Sequence, residues 1–288
     1  MRDEARLSDP PRLLIVNADD LGLHEDINRG IFQAHVDGIV TSASIVACGD
    51  AFVDAAATAQ QCPSLDVGVH LTLIEERPLC PAKDIPTLLG PDDRFLPSHR
   101  HLTARILAGA VSVPEIRLEL RAQIERVIAT GRHPSHLDGH QHVHLLPSIW
   151  GVTTELAREY GIQWIRVPRF TRPFAGVRSP IDVVFRLGLN TLSAMRRRRW
   201  SRPEWVIQTP GLHLSGRLRE ADLFEIVGDL QPGISEIVTH PGVGTPALTA
   251  RYGWGYQWST ELAALTSSRI TAFLRSSGVK LTRYSECV

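Results

Sequence analysis

The chain has 288 residues, enough for one large α/β domain or two ordinary ones. Its 31 basic side chains balance its 31 acidic ones, so no global field recruits nucleic acid or an acidic partner. No run approaches the ~18 apolar residues of a membrane span, and Cys48, Cys62, Cys80 and Cys287 form no CxxC pair, which argues against a cysteine zinc site or a disulfide frame.

The N-terminus, "MRDEARLSDPPRLLIV", carries acidic residues and no apolar signal core, so the expected address is the cytoplasm. "LLIVNADD", from residue 13, is an apolar run that closes in polar residues, and it predicts a buried strand. A helix follows, with Ile27, Ile31 and Ala34 at i, i+4 and i+7 and Gly38 as its stop. "SASIVAC" (42–48) predicts a second strand, and the Ala-rich "AFVDAAATAQQC" a second helix. "LDVGVHLTL" (65–73) predicts the next strand, and "EIRLELRAQIERVIATG" (115–131) a strongly amphipathic helix. Then come "SHLDGH", the helix "IWGVTTELAREYG", and the strand "WIRVP". Later elements are "WVIQTPG" (205–211), "ISEIVTHPG" (234–242), one helix from Glu261 to Arg275, and "VKLTRYSE" (279–286).

About eight strands interleaved with helices indicate a parallel sheet covered by helices. The expected fold class is α/β, an irregular (β/α) barrel of mostly parallel strands, built as a single domain over residues 1–288. Two stretches break the rhythm: a Pro-rich, loop-like 77–113 and an Arg-rich insertion at 170–204.

In such folds functional groups gather where strands end at the C-terminal edge. The polar residues closing the apolar runs are Asn17, Asp19, Asp20, His70, Asp138, His140, Arg166, Arg169 and His240. Carboxylates, imidazoles and guanidiniums on one rim have the composition of a metal-dependent hydrolase. Neighbouring strand residues point to opposite faces, so Asp19 and Asp20 share a site only where the chain turns. One can then hold a cation while the other accepts a proton; the plainer alternative is an acidic turn capping the next helix. His70, alone on its strand, reads more readily as a core histidine than as a ligand, and His240, before Pro241 and Gly242, reads equally as a structural histidine.

The run "HLDGHQHVHLLP" (136–147) is a stronger signal, with four of the twelve histidines in nine positions. His136, Asp138 and His140 alternate at period two and line one face of a strand, while His142 and His144 enter the next helix. They cannot all bind one ion, since a catalytic zinc-type site takes three protein ligands and leaves room for water. The others orient ligands, contact substrate or stand idle. There is no GxSxG elbow, no phosphate-binding GxxxxGK[ST] loop, no HExxH and no GxGxxG after a strand.

Together, "LIVNADDLGL", "NRGIFQAHVDGIVTSASIVACG", "VGVHLTL", "HLDGHQHVHLLP" and "EIVTHPG" resemble the YdjC-like (ChbG-type) carbohydrate deacetylases, in the family's order over residues 13–286. "GLHLSGRLREADLFEIVGDLQPGISEIVTHPG" is most similar to the hopanoid-biosynthesis-associated branch. The resemblance implies an irregular (β/α) barrel that removes N-acetyl groups from amino sugars. It makes Asp20, His70 and His140 the metal ligands, Asp19 the catalytic base and His240 the acid. Asp138, Arg166, Arg169 and His142 fall to supporting or substrate-contacting roles. The sequence departs from the family pattern at Leu21, where the family usually has Phe.

The cofactor expected is one divalent ion, with Zn²⁺ favoured over Mg²⁺ by the mixed nitrogen and oxygen donors. The substrate expected is an acetylated amino sugar, on a glycolipid such as a glucosaminyl hopanoid or on a chitooligosaccharide. "VVFRLGLNTLSAMRRRRW" (183–200) mixes apolar residues with a basic cluster, as helices docking on anionic lipid do, and so places the protein at the periphery of the inner membrane. The alternative is a solvated basic helix end. No nucleic-acid partner is expected, and a homodimer is left open. The rival functions are a metallophosphoesterase and a non-catalytic sugar- or lipid-binding protein.

Overall fold

The computed structural model describes residues 10–172, 174–175, 180–200 and 207–287. In chain order its elements are β1 (Arg12–Leu21), α1 (Glu25–Val36), β2 (Ser42–Ile45), α2 (Phe52–Gln61), β3 (Asp66–Leu71), α3 (His99–Leu107), α4 (Val113–Ile128), β4 (His136–Gly139), α5 (Pro147–Glu159), β5 (Trp164–Ile165), α6 (Pro180–Trp200), α7 (Glu220–Gly228), β6 (Gly233–Thr239), α8 (Pro246–Arg251), α9 (Trp258–Leu265), α10 (Ser268–Ser276) and β7 (Val279–Leu281).

Every ladder between these strands is parallel, in the order β5-β4-β3-β2-β1-β6, with β7 paired to the first residues of β1. This is the irregular (β/α) barrel that the alternation of elements foretold. No ladder joins β5 to β6 among the described residues. Gln208 makes a single bridge to Ser235 of β6, and side chains close the remaining gap. Thr209 Oγ1 accepts from the Arg169 N–H at 2.8 Å, and Arg197 of α6 donates to the carbonyls of Val167 and Ile207.

The period-two alternation of a strand decides what faces where. On β1, Leu14, Val16 and Ala18 are fully buried in the large core beneath the helices. Ile15 turns the other way, into a small cluster with Trp164, Tyr284 and Cys287 that plugs the barrel floor. Above that floor the inward positions are polar: Asn17 and Asp19 from β1, Ser42 and Ser44 from β2, His70 from β3, His136 and Asp138 from β4, Arg166 after β5, and Glu236 from β6, all buried. Strands apolar on their helix-facing side and polar on their inner side set an ionisable layer on an apolar floor.

Three sequence expectations change. The helix placed over Glu261–Arg275 is two, α9 and α10, broken where the Ser267 hydroxyl caps α10 by accepting from the Arg269 N–H. The loop-like 77–113 holds α3 and two short 3₁₀ turns, Ala82–Asp84 and Pro86–Leu88. The strand expected at 205–211 reduces to the Gln208 bridge, with 205–206 outside the described residues, while the helix expected over 183–200 lies within α6. The reading of the first nine residues also falls outside them. Among the described residues no helix is long and apolar enough to cross a membrane.

Candidate active site

A bulge brings the two aspartates to one place. The register of β1 against β2 slips between Ala18 and Leu21, and Asp20 takes a left-handed backbone with φ +71°. Such a conformation costs a non-glycine residue on the order of 1–3 kcal/mol and persists only where its surroundings fix it. Here the Asp20 carbonyl accepts from the Leu23 N–H at 3.2 Å, and Asn28 Oδ1 of α1 accepts from the Gly22 N–H at 2.7 Å. The kink lets Asp20 join Asp19 on the inner rim.

Asp20 meets two imidazoles, one on β3 and one in the turn that follows β4. Its Oδ1 lies 3.0 Å from His140 Nδ1 and 3.5 Å from His70 Nε2, and donor atoms of the three residues all fall within 4.8 Å of one another. Its Oδ2 is buried without a hydrogen-bond partner, with His240 Nε2 3.9 Å away. Burial works to raise the Asp20 pKa, but His140, His240 and His70 outweigh it and hold the carboxyl well below its usual range. Burial likewise works to lower His140, and Asp20 and Glu75 overcome it, keeping that ring up at about 10. The field at this point therefore favours a cation. One carboxylate and two imidazoles are donors suited to Zn²⁺, and an orphaned anionic oxygen among them is what a bound cation would answer, so the residues fit a divalent ion.

Asp19 has a different set of partners. Arg166 Nη1 and Nη2 donate to its two oxygens at 2.7 and 2.8 Å, and Asn17 Nδ2 donates to Oδ1 at 2.8 Å. The same guanidinium reaches Asp138 Oδ2 and Glu236 Oε1, each at 2.7 Å. Burial pulls the Arg166 pKa down, but Asp138, Asp19 and Glu236 more than offset it, so the cation is secure. Asp19, His70 and Asp138 form a second group with metal-ligand spacing, yet Arg166 already supplies its positive charge. Asp138 also accepts from Ser44 at 2.6 Å and from His70 Nδ1 at 2.7 Å, so it fixes the tautomer that turns His70 Nε2 toward Asp20.

His240 ends β6 with its Nδ1 3.2 Å from Ser215 Oγ, and its backbone N–H donates to Glu261 Oε2 at 2.5 Å. Burial lowers its pKa, while Asp20 and Asp19 work to raise it.

The other expected residues separate. Arg166 is buried, and its guanidinium is committed to the three carboxylates of Asp19, Asp138 and Glu236. Arg169 is exposed, and its backbone meets Thr209 at the barrel seam. His142 packs on His144 with 6.4 Å between ring centroids and belongs to neither ligand group. His136 lies deeper, between Ser44 and Ser135 and stacked on Tyr284 at 4.0 Å; a Cβ on Gly68 would fall 2.3 Å from its ring. Leu21 is buried in the helix-facing core, so its size bears on packing beneath the site.

Several site residues escaped the sequence reading. Glu236 and Glu261 are single acids in otherwise apolar segments, which was the available signal. An aromatic row, Tyr252, Trp254, Tyr256 and Trp258, alternates along "YGWGYQW". Its Trp254 packs on His140 at 5.3 Å and its Tyr256 on His240 at 4.8 Å, so the row walls the centre. Glu75, whose Oε2 lies 3.3 Å from His140 Nε2, carried no pattern at all.

A family profile described as YdjC-like protein matches residues 13–276. A carbohydrate deacetylase of Brevibacillus brevis is 33% identical over 278 residues, covering 95% of this chain and 98% of the relative. A human carbohydrate deacetylase is 33% identical over 305 residues, with 96% and 91% coverage. A chitooligosaccharide deacetylase of Yersinia enterocolitica is 31% identical, with 96% and 99% coverage. Among solved structures, an Enterococcus faecalis V583 protein assigned to cellobiose-phosphate cleavage superposes with a TM-score of 0.74 at 25% identity, covering 96% of this chain and 98% of the other.

Proposed function

The chain belongs to the YdjC-like protein family, and from that membership we propose that it is a metal-dependent N-deacetylase of an acetylated amino sugar. The observation that carries the proposal is the meeting of Asp20 from β1, His70 from β3 and His140 from the turn that follows β4, with Asp19 beside them on the same rim. These three residues would hold one divalent ion, Zn²⁺ by the softness of the donors. Bound there, it supplies Lewis-acid polarisation of the acetyl oxygen and acidifies water.

The chain's own residues do the rest. Asp19 Oδ2 has Arg166 Nη1 as its hydrogen-bond partner and keeps a lone pair to accept a proton from the attacking water. Arg166 and Asn17 fix the plane of that carboxylate before the substrate arrives. His240 Nε2, in its protonated form, hands a proton to the departing amine, and the proton that Asp19 took from the attacking water restores the starting charge state. Ser215 steadies its far nitrogen and Glu261 its backbone. Trp254 and Tyr256 offer flat faces on which a pyranose ring stacks, excluding water from the reacting amide.

The rival metallophosphoesterase needs a second ion about 3.5–4 Å from the first. The carboxylates that would hold it, Asp19 and Asp138, are paired with Arg166, which favours the single-ion reading. The lipid-linked form of the substrate is supported by α6, where Val184, Leu187 and Met195 lie on one face and are 70%, 43% and 53% exposed. Of the arginines at its end, Arg196 is buried over the Trp150 ring and Arg197 bonds two carbonyls, so membrane contact through 183–200 would use the apolar face more than those two charges.

The test is acetate release from chitobiose, N-acetylglucosamine and N-acetylglucosaminyl lipids, after chelation and with Zn²⁺ or Mg²⁺ restored. Release that disappears on chelation and returns with metal is the expected result. Turnover of phosphate esters in place of acetamides would reject the proposal.

A further inference from the structure

We propose that Glu75 positions the metal ligand His140, and that Gln141 and His99 hold Glu75 to that task. The inference rests on the metal-site reading above and extends it to residues that touch neither substrate nor ion. Each imidazole of the centre uses its two nitrogens alike. His70 turns Nε2 to Asp20 Oδ1 and Nδ1 to Asp138 Oδ1. His140 turns Nδ1 to Asp20 Oδ1 at 3.0 Å and Nε2 to Glu75 Oε2 at 3.3 Å. A ligating histidine whose remote N–H donates to a carboxylate is fixed in tautomer and ring orientation, and its donor nitrogen becomes more basic. Asp138 does this for His70; Glu75 stands in the matching place for His140.

Glu75 is itself constrained. Gln141 Nε2 donates to its Oε1 at 3.0 Å, which leaves Oε2 for His140. Gln141 Oε1 in turn accepts from His99 Nδ1 at 2.6 Å, and the His99 ring packs on Phe185 of α6 at 4.6 Å. The chain thus runs from His140 through Glu75 and Gln141 to α3 and the inserted helix. Its central residues carry a conformational cost, with Glu75 at φ +65° and Gln141 at φ +49°, both left-handed without being glycine. The next acid, Glu76, is turned elsewhere, to Arg251 and Tyr252. Two acids side by side, one on the ligand and one on a structural ion pair, repeat the division seen at Asp19 and Asp20.

The experiment uses the full chain stripped of metal by chelation, with Zn²⁺ affinity measured by competition against a chromophoric chelator. Glu75→Gln keeps the volume and removes the charge; it should weaken Zn²⁺ binding ~10–100-fold. Its kcat should fall with little change in KM, while its metal-free melting temperature stays close to wild type. Gln141→Ala should weaken binding about threefold in the wild-type background and add nothing on top of Glu75→Gln, because it acts through Glu75. Unchanged Zn²⁺ affinity in Glu75→Gln, or an equal Gln141→Ala effect in both backgrounds, overturns the inference while the metal site stands. If Glu75→Gln does not fold, the Gln141→Ala affinity alone decides, and no loss there overturns it. Wild-type protein that binds no divalent ion removes the underlying reading, and the inference with it.

Discussion

Asp19 and Asp20 are consecutive in the chain and opposite in their circumstances, and the partners of each decide what it can do. Asp19 is answered by a guanidinium and an amide. Asp20 keeps one buried oxygen unanswered beside two imidazoles. Asp19→Asn should therefore cut kcat by ~10²–10⁴-fold, the usual worth of a positioned base, with Zn²⁺ affinity retained. Full activity in that variant would end the base assignment. Arg166→Met is expected to behave differently, because it strands Asp19, Asp138 and Glu236 in the interior without a counter-charge. Removing one partner of a buried pair typically costs about 3–5 kcal/mol, so this change should appear first as a loss of stability in denaturant unfolding. At this scale the sequence was legible wherever a polar residue closed an apolar run: Asp19, Asp20, His70, Asp138, His140, Arg166 and His240 all reach the rim. It was silent on Glu75, which sits in a Pro-rich connection where no periodicity marks direction.

Elements position these residues through a few close approaches. Gly30 of α1 faces the loop that follows His240, and a Cβ there would fall 2.3 Å from Gly242 Cα. Backbone blocks that Cβ, so no side-chain rotation relieves it. Gly151, in the middle of α5, has open space where its Cβ would lie. The same substitution should therefore have opposite signs: Gly151→Ala stabilises by ~0.5–1 kcal/mol through helix propensity. Gly30→Ala destabilises by about 1–3 kcal/mol through overpacking, and it lowers activity by shifting His240. Paired melting curves check both, and equal signs would contradict the packing argument. Local propensity cannot separate these two glycines, since both lie inside helices and only the tertiary neighbours differ. The same limit explains the expected helix at Glu261–Arg275: its apolar spacing continues through Thr266 and Ser267, while the Ser267 cap restarts the helix in a new direction.

For the whole molecule, alternation along the chain announced parallel strands and covering helices, but strand order and the unpaired seam come from long-range packing that no local pattern records. The polar layer inside the barrel makes stability depend on pH, and magnitudes decide the direction. Burial holds His136 and His144 at about 4, so each binds a proton less readily folded than unfolded. A histidine lowered in this way contributes stability that is complete above its unfolded value near 6.5 and is lost as pH falls toward 4. A depression of that size is worth roughly 3 kcal/mol per ring. Glu261 opposes them: burial raises it to about 7, against the N–H groups of His240, Leu218 and Gly216 that favour its ionised form. Its protonated form is the better folded one, so its contribution declines as pH rises from ~4.5 to 7. Burial also lowers His142 and His240 and also raises Glu236 and Glu76, so the lowered rings outnumber the raised carboxyls, and the net expectation for chelated protein is a melting temperature that climbs from pH 4 to 6.5. Glu261→Gln removes the opposing slope and should make that climb steeper, even as the loss of an acceptor for the His240 N–H lowers the curve overall. A flat or falling profile over the same window would mean that these interior histidines are not held neutral, and the account of the barrel interior would have to change.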